Sequence, residues 1–240
     1  MRKGKGALHV ILVNGTRAAL AAATSILVGA GFAHAGFTGF EVAIDAMDSV
    51  NGFIDLDDPS VTEYADLIEI PNPPAGSFIE VGSGIPGVGE FVSGLVYGSN
   101  NAGTALFTFA AETAVAPFAD NPFGLDLAIS AHQVIFTSEV EVVVSLIGSM
   151  APDSTETAFG FLDVVENGIP SGTDFSPMDN PILEEIVLGP GTHSVAFGVA
   201  VSPEGGFGAI AGTIAFTAVP APGAVALLGL AGLVAGRRRR

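Results

Sequence analysis

Hydrophobic and polar residues alternate along most of the chain between positions 36 and 219. In the stretch EVEVVVSL, for example, Val142 and Val144 share one face of an extended chain, while Glu141 and Ser145 share the other. This period of two predicts β-strands that turn one face toward a core. The same alternation occurs in segments 40–45, 105–110, 125–130, 193–202 and 209–217.

Turn-forming residues separate these segments. Clusters rich in glycine, proline, asparagine and serine lie at 71–74, 98–101 and 202–206, and such residues interrupt strands. Many short strands joined by turns of this kind predict an all-β domain. We expect an antiparallel β-sandwich over residues 36–218, either jelly-roll-like or immunoglobulin-like.

One segment departs from this alternation. Between Ser60 and Ile70, apolar residues recur at helical spacing, and they are Val61, Tyr64, Ala65 and Ile68. Ser60 and Glu63 also match a capping box, the pattern that often starts a helix. The segment therefore predicts one short helix, with an edge strand as the alternative.

The charged residues are divided between the ends and the body of the chain. All eight Lys and Arg lie in residues 1–17 or 237–240, whereas all 25 Asp and Glu lie between Glu41 and Glu204. The body therefore has no cationic side chain with which to bind phosphate, which excludes nucleic acid and anionic lipid as its partners. Its carboxylates repel one another, and salt or divalent cations would relieve that repulsion. The chain has no cysteine, so disulfides and thiolate metal sites are also excluded.

The first 35 residues have the composition of a secretory signal peptide. A basic start precedes an apolar run from Ala18 to Phe32, and Ala33 and Ala35 supply the small residues that signal peptidase requires. We predict a helical signal that signal peptidase removes by cleavage before Gly36. A retained membrane-anchoring helix is the alternative.

The segment VPAPGAVALLGLAGLVAGRRRR, from Val219 to Arg240, combines a proline pair, an uncharged run and four arginines. As a helix, the uncharged run 223–236 would measure about 21 Å, short of the roughly 30 Å of a bilayer's hydrocarbon core. The arginine cluster would remain on the cytoplasmic side, and it comprises Arg237, Arg238, Arg239 and Arg240. Pro220 and Pro222 keep the preceding stretch extended, which is a form that a membrane protease can bind.

This order of parts resembles the PEP-CTERM sorting signal, the tag that exosortases recognise in Gram-negative bacteria. The resemblance covers residues 219–240 and rests on Val219, Pro220, Pro222 and the final arginines. One residue departs from the family motif, because Ala221 stands where the family has Glu. The resemblance implies brief retention at the inner membrane and cleavage by an exosortase-type protease. It further implies delivery to the outer surface or the extracellular matrix, where such proteins are linked to exopolysaccharide and biofilm. A plain tail anchor is the alternative.

The body contains no recognised catalytic motif, since G-x-S-x-G, H-E-x-x-H and the P-loop are all absent. Two histidines remain after the predicted signal cleavage. His132 falls on the polar face of the strand that begins near Leu125, and His193 begins another strand after Gly191. We interpret both as surface residues that lie far apart, with a general base or a metal ligand as the alternative.

The strongest candidate for a metal site is the acidic loop that contains Asp55, Asp57 and Asp58, with Asp45 and Asp48 just upstream. Calcium binds carboxylate and carbonyl oxygens, usually in loops, so these three residues are the candidate calcium ligands. The EF-hand pattern is absent, however, and the sequence favours a solvated acidic loop with no bound metal. A second acidic cluster at 174–179 gives a weaker signal.

These features predict an exported surface or matrix protein with a signal peptide at 1–35, a β-sandwich at 36–218 and a sorting signal at 219–240. The lack of a catalytic motif favours a non-enzymatic body with a structural, adhesive or ligand-binding role. The alternative is an extracellular hydrolase that acts on polysaccharide through paired carboxylates. The body has no Trp and only Tyr64 and Tyr97, and this shortage of rings for stacking on sugars counts against a carbohydrate enzyme and also against a lectin.

Overall fold

The computed structural model describes residues 42–54, 62–85, 88–101, 104–116, 127–166, 169–202 and 204–219. Within these ranges the regular structure consists of β-strands, and no helix long and apolar enough to cross a membrane is found there. The strands are β1 (Ala43–Ile54), β2 (Thr62–Pro71), β3 (Phe78–Ile85), β4 (Gly89–Asn101), β5 (Thr104–Val115), β6 (Leu127–Ser138), β7 (Glu141–Met150), β8 (Ala158–Glu166), β9 (Ile169–Phe175), β10 (Ile182–Leu188), β11 (Gly191–Val201) and β12 (Gly206–Val219).

The strands form two six-stranded antiparallel sheets. The first sheet has the order β2-β1-β6-β11-β8-β9, and the second has the order β10-β7-β12-β5-β4-β3. Only β1–β2, β3–β4, β4–β5 and β8–β9 are consecutive neighbours within one sheet, so the other connections cross from sheet to sheet. The predicted antiparallel β-sandwich is therefore confirmed.

The core lies between the sheets and is rich in aromatic side chains. Phe109 of the second sheet packs against Phe197 of the first, with ring centroids 4.8 Å apart. Phe136 of the first sheet meets Phe216 of the second at 4.9 Å. All four rings are buried, so these contacts join the two sheets through their central strands.

Segment 60–70 is a strand, so the prediction of a helix is wrong and its alternative, an edge strand, is correct. From Thr62 to Pro71 the chain pairs with β1 at the edge of the first sheet. Ile68 and Ile70 turn toward the core, whereas Leu67 and Glu69 are exposed on the other face. An isolated helix of about ten residues has little stability of its own. Pairing with β1 satisfies the hydrogen bonds of the backbone and partly buries both isoleucines against the core.

The predicted polar face of β6 is the buried one. Ser130 and His132 point into the sandwich, and Ile129 lies on the outer face of the first sheet. The alternation predicts the strand correctly, but its polar face is the one that meets the second sheet. Strand β6 lies inside its sheet and is buried on both faces around these residues, and alternation alone does not identify which face meets the second sheet.

Candidate functional site

A group of polar side chains lies between the two sheets. On the ladder between β1 and β6, Ser49 is opposite His132 and Asn51 is opposite Ser130. Strands of the second sheet place further hydroxyl groups in the same layer. We call this group the interior polar cluster, and it comprises Ser49, Asn51, Ser130 and His132 of the first sheet with Ser83, Ser93 and Thr113 of the second.

Two hydrogen bonds hold the His132 ring. Its Nε2 lies 3.2 Å from the carbonyl oxygen of Ala110, and its Nδ1 lies 2.8 Å from the Oγ of Ser49. A carbonyl only accepts, so Nε2 carries the proton and Ser49 donates to Nδ1. Burial lowers the pKa of His132 to about 3, so the ring is neutral at physiological pH.

The interior polar cluster is a structural feature of the core. A serine beside a histidine is the first half of a hydrolytic triad, but here the other ring nitrogen meets a backbone carbonyl in place of a carboxylate. Ser49 and His132 are also buried, with 2% and 0% of their surfaces exposed, so a substrate does not reach them. The prediction that His132 is a surface residue is therefore wrong, and so is its use as a catalytic base.

His193 is buried as well, with 1% of its surface exposed, so its assignment to the surface is also wrong. Its Nε2 donates to the carbonyl oxygen of Gly189 at 2.9 Å, and its ring lies 5.2 Å from that of Phe136. The bond closes the turn between β10 and β11. Sequence alone did not reveal this, because the burial comes from strands distant along the chain.

The outer face of the second sheet is the main apolar surface in the described part of the chain. Large hydrophobic residues point outward at five positions on four of its strands. They are additional to the apolar residues that the same strands turn toward the core. The outward residues are Phe78 of β3, Val92 of β4, Ile147 of β7, and Leu183 and Val187 of β10. They form two groups, one on β7 and β10 and one on β3 and β4, with β12 and β5 between them. Exposed apolar groups of this kind occur at sites that bind partners or ligands.

Small residues occupy the middle of that face. The outward positions of β12 and β5 there form a strip two strands wide, between Ile147 of β7 and Val96 of β4. We call this strip the trough, and its residues are Thr108, Ala110, Ala209, Ala211 and Thr213. Short side chains between longer ones leave a depression, and Thr108 and Ala110 are almost fully buried in it.

The trough ends in a groove of about 350 Å³. Ala209 and Ala211 lie along it, and Phe207 stands at the start of β12. Glu112 of β5 and Asp153, in the turn after β7, bring two carboxylates to its walls. The groove therefore offers an apolar floor, one aromatic ring and negative charge, which suits a ligand with both apolar surface and cationic or hydroxyl groups.

Most sequence-predicted site residues lie outside the described part of the chain. This holds for Ala33 and Ala35, for Pro220, Pro222 and the four arginines, and for Asp55, Asp57 and Asp58. Val219 is the last residue of β12 and pairs with Glu141. Of the acids near the predicted calcium loop, Asp45 accepts a hydrogen bond from Thr137 at 2.6 Å and Asp48 is buried. Among the described residues, no group of three potential ligands could hold a metal ion.

Two further acids have unusual surroundings. Asp163 of β8 lies over Gly172 of β9, and Asp174 is close to it on the same face. Although much of Asp163 is accessible to solvent, local desolvation and the Asp174 carboxylate raise its pKa to about 6. In the second acidic cluster, Asp179 accepts hydrogen bonds from the backbone N–H and hydroxyl of Ser176, and the backbone bond is the main cause of its lowered pKa. Asp179 therefore stabilises a turn.

No protein-family model and no curated protein matches the chain. Among solved structures, the chain is similar to TmCBM61 in complex with beta-1,4-galactotriose. The sequence identity is 7% and the TM-score is 0.26, over 60% of this chain and 90% of that chain. A likeness at this level carries no information about what this chain binds.

Proposed function

We propose that this chain is an exported cell-surface or extracellular-matrix protein, processed through its C-terminal signal, with a non-enzymatic β-sandwich that binds a partner or ligand. The observation that supports a binding role is the outer face of the second sheet, where Ile147, Leu183 and Val187 are each more than half exposed. The buried state of His132 and His193 removes both histidines as accessible catalytic bases. The two end segments support export and sorting.

Export and processing are tested by the intact mass of the native protein in membrane, surface and medium fractions of its host. We expect a surface or medium species that begins at Gly36 and lacks Arg237 to Arg240. A membrane-bound species that keeps the four arginines would identify the C-terminal segment as an anchor, and the sorting proposal would fall.

The binding role is tested by substituting a residue of the outer face and measuring ligand binding. We propose exopolysaccharide as the matrix ligand and the groove beside Phe207 as its site, because a ring and two carboxylates can contact sugar faces and hydroxyls. The affinity for purified host exopolysaccharide, measured by co-sedimentation, should fall about tenfold in Phe207→Ala, because the variant loses the apolar surface that the ring buries. Phe159→Ala, on the outer face of the first sheet, is the matched control. Equal binding by both variants and the parent would exclude the groove as the site.

A polysaccharide hydrolase remains the second candidate, and the pair Asp163 and Asp174 favours it. A carboxyl with a raised pKa beside another carboxylate is the usual arrangement of a glycosidase acid and its partner. This candidate predicts glycan cleavage that is lost in Asp163→Asn and retained in Glu69→Gln. If the purified chain cleaves nothing in a broad glycan panel, the candidate is excluded.

A further inference from the structure

Strand β10 lies at one edge of the second sheet and presents a regular backbone there. Its residues, Ile182–Leu188, pair with β7 in an unbroken register, and β7 is its only neighbour among the described strands of that sheet. Alternate residues of an edge strand direct their N–H and C=O groups away from the neighbouring strand. Strand β10 also contains neither Pro nor Gly, so its backbone can pair with an added strand along its whole length.

The other three edge strands carry features that hinder such pairing. Strand β9 contains Pro170, which has no N–H, together with Gly172. Strand β3 contains Gly82 and Gly84, and β2 ends at Pro71 and pairs with β1 through a shifted register. Proline, glycine and irregular pairing are common means of protecting a sheet edge. Within the described part of the chain, β10 is therefore the edge best suited to receive another strand.

Exposed apolar side chains lie along the same edge. Leu183 and Val187 of β10 are 67% and 54% exposed, and both point outward from the second sheet. Ile147 of β7 is directly opposite Leu183 and is 57% exposed. Side chains on neighbouring strands of a sheet pack against one another. The outward side chains of an added strand would therefore cover Leu183 and Val187.

The charge of this edge selects among possible partners. Glu185 is exposed on the same face, between Leu183 and Val187, and residues 18–236 contain no Lys or Arg. If two copies of β10 paired antiparallel with Leu183 opposite Val187, the two Glu185 carboxylates would be directly opposite each other. Like charges in that position are destabilising, whereas opposite charges are stabilising. The edge therefore favours a partner strand with a cationic side chain over a second copy of this chain.

We infer that β10 receives an extended segment of a partner protein, which adds to the edge of the second sheet as a further strand. The segment carries a Lys or Arg beside Glu185, with an apolar residue two positions away on each side, beside Leu183 and Val187. The order apolar, acidic, apolar is the same in both directions along β10, so this pattern suits a parallel or an antiparallel strand. Main-chain hydrogen bonds supply the affinity of such a contact, and the three side chains supply its specificity.

This edge is separate from the groove beside Phe207. The groove is lined on β7 by Ser149 and Met150, whereas β10 pairs with residues 142–148 of that strand. The inference therefore concerns a protein partner in addition to the glycan proposed above, and it does not rest on the proposed function. Phe207→Ala should leave the binding of a strand at β10 unchanged.

Two synthetic peptides test the inference with the full-length chain. Their sequences are TVTKTVT and TVTETVT, with blocked ends and the same fluorescent label, and fluorescence anisotropy measures their dissociation constants. We expect the lysine peptide to bind about fivefold more tightly than the glutamate peptide. Glu185→Lys should reverse this preference. The matched control is Glu80→Lys, the same change of charge on the edge strand β3, and it should keep the preference of the parent.

N-methylated forms of the lysine peptide test the pairing of the backbone. One form carries N-methyl groups on its Val and Lys residues and the other on its Thr residues, so each lacks the N–H donors of one peptide edge. A strand that adds to β10 uses only one of its edges. We expect one form to lose binding and the other to retain it. Loss in both forms, or in neither, would contradict strand addition.

The remaining outcomes also overturn the inference. Equal affinities of the lysine and glutamate peptides would contradict the role of Glu185, and no binding of either would leave the edge without this kind of partner. If the parent chain forms dimers in analytical ultracentrifugation that dissociate in Leu183→Asp, the edge belongs to a second copy. Glycan binding is measured separately with Phe207→Ala, so failure of one proposal is distinguished from failure of the other.

Discussion

The Oγ of Ser49 lies 2.8 Å from the Nδ1 of His132, across the ladder between β1 and β6 and inside the sandwich. Because Nε2 of the same ring donates to the carbonyl of Ala110 in the second sheet, this histidine links both sheets while remaining neutral. A pair that resembles catalytic machinery is thus part of the core, and its effects should appear in stability.

Two substitutions in the interior polar cluster should differ in their effect on the free energy of unfolding. Ser49→Ala removes the hydroxyl that donates to Nδ1 of His132 and should lower the free energy of unfolding by about 1–3 kcal/mol. Thr113→Val should raise it or leave it unchanged, because the buried Oγ1 of Thr113 has no hydrogen-bond partner among the described residues and valine has nearly the same shape. Urea denaturation at pH 7 measures both.

A different result would change the hydrogen bonding assigned to the interior polar cluster. If Ser49→Ala is neutral, the hydroxyl makes no net contribution. If Thr113→Val is strongly destabilising, its hydroxyl contacts a group that the described residues do not include. Ser171→Ala is the control, because it removes a hydroxyl at an exposed position of the edge strand β9. It should leave the free energy of unfolding unchanged.

Burial of His132 should make the protein sensitive to acid. Its pKa is lowered from 6.5 to about 3, so the unfolded chain binds a proton between these values while the folded chain does not. Stability conferred by the neutral ring is therefore present above pH 6.5 and lost as the pH falls toward 3, by an amount of the order of several kcal/mol.

The comparison between the parent and His132→Leu isolates this contribution from the titration of the acids. The difference in their unfolding free energies should change between pH 7 and pH 4, in favour of the variant at the lower pH. A difference that stays constant over this range would contradict the lowered pKa. The ring proton signals of His132, followed by NMR in the parent, should also stay constant over the range where the protein remains folded.

A glycine in β11 is required by a close approach of two strands. A Cβ at Gly198 would meet the carbonyl oxygen of Ser130 and the Cα of Ala131, both in the backbone of β6. Backbone cannot move aside easily, so Gly198→Ala should lower the free energy of unfolding by more than about 3 kcal/mol or prevent folding. Gly82→Ala, where a Cβ meets nothing within 4 Å, is the control and should cost less than about 1 kcal/mol.

The melting temperature should rise with salt, because the body contains acids but no Lys or Arg to pair with them. A melting temperature that stays flat from low to high sodium chloride would refute the repulsion argument. A further rise with micromolar calcium, not matched by magnesium, would support Asp55, Asp57 and Asp58 as ligands. In that case Asp57→Asn should remove the calcium effect and keep the salt effect.

The sequence by itself determined the all-β class, several of the strands and the charge distribution. Alternation in segments such as 139–146 and 209–217 predicts β7 and β12, because one face of each must be apolar to form a core. The sequence also shows that all Lys and Arg lie near the two ends of the chain, and the predictions of export and sorting depend on these residues. These features are local, so they can be read without knowing what each strand contacts.

The tertiary structure decided which faces are buried and which strands meet. Period two gives two faces to every strand, but only the packing of the sheets shows that His132 points inward and that Ile147 and Leu183 point out. The segment 62–71 became a strand because β1 offered it an edge to pair with, which outweighed its helical spacing. Burial and pairing depend on residues far apart in the chain, and for that reason the sequence alone did not place the buried histidines or reveal the exposed apolar face.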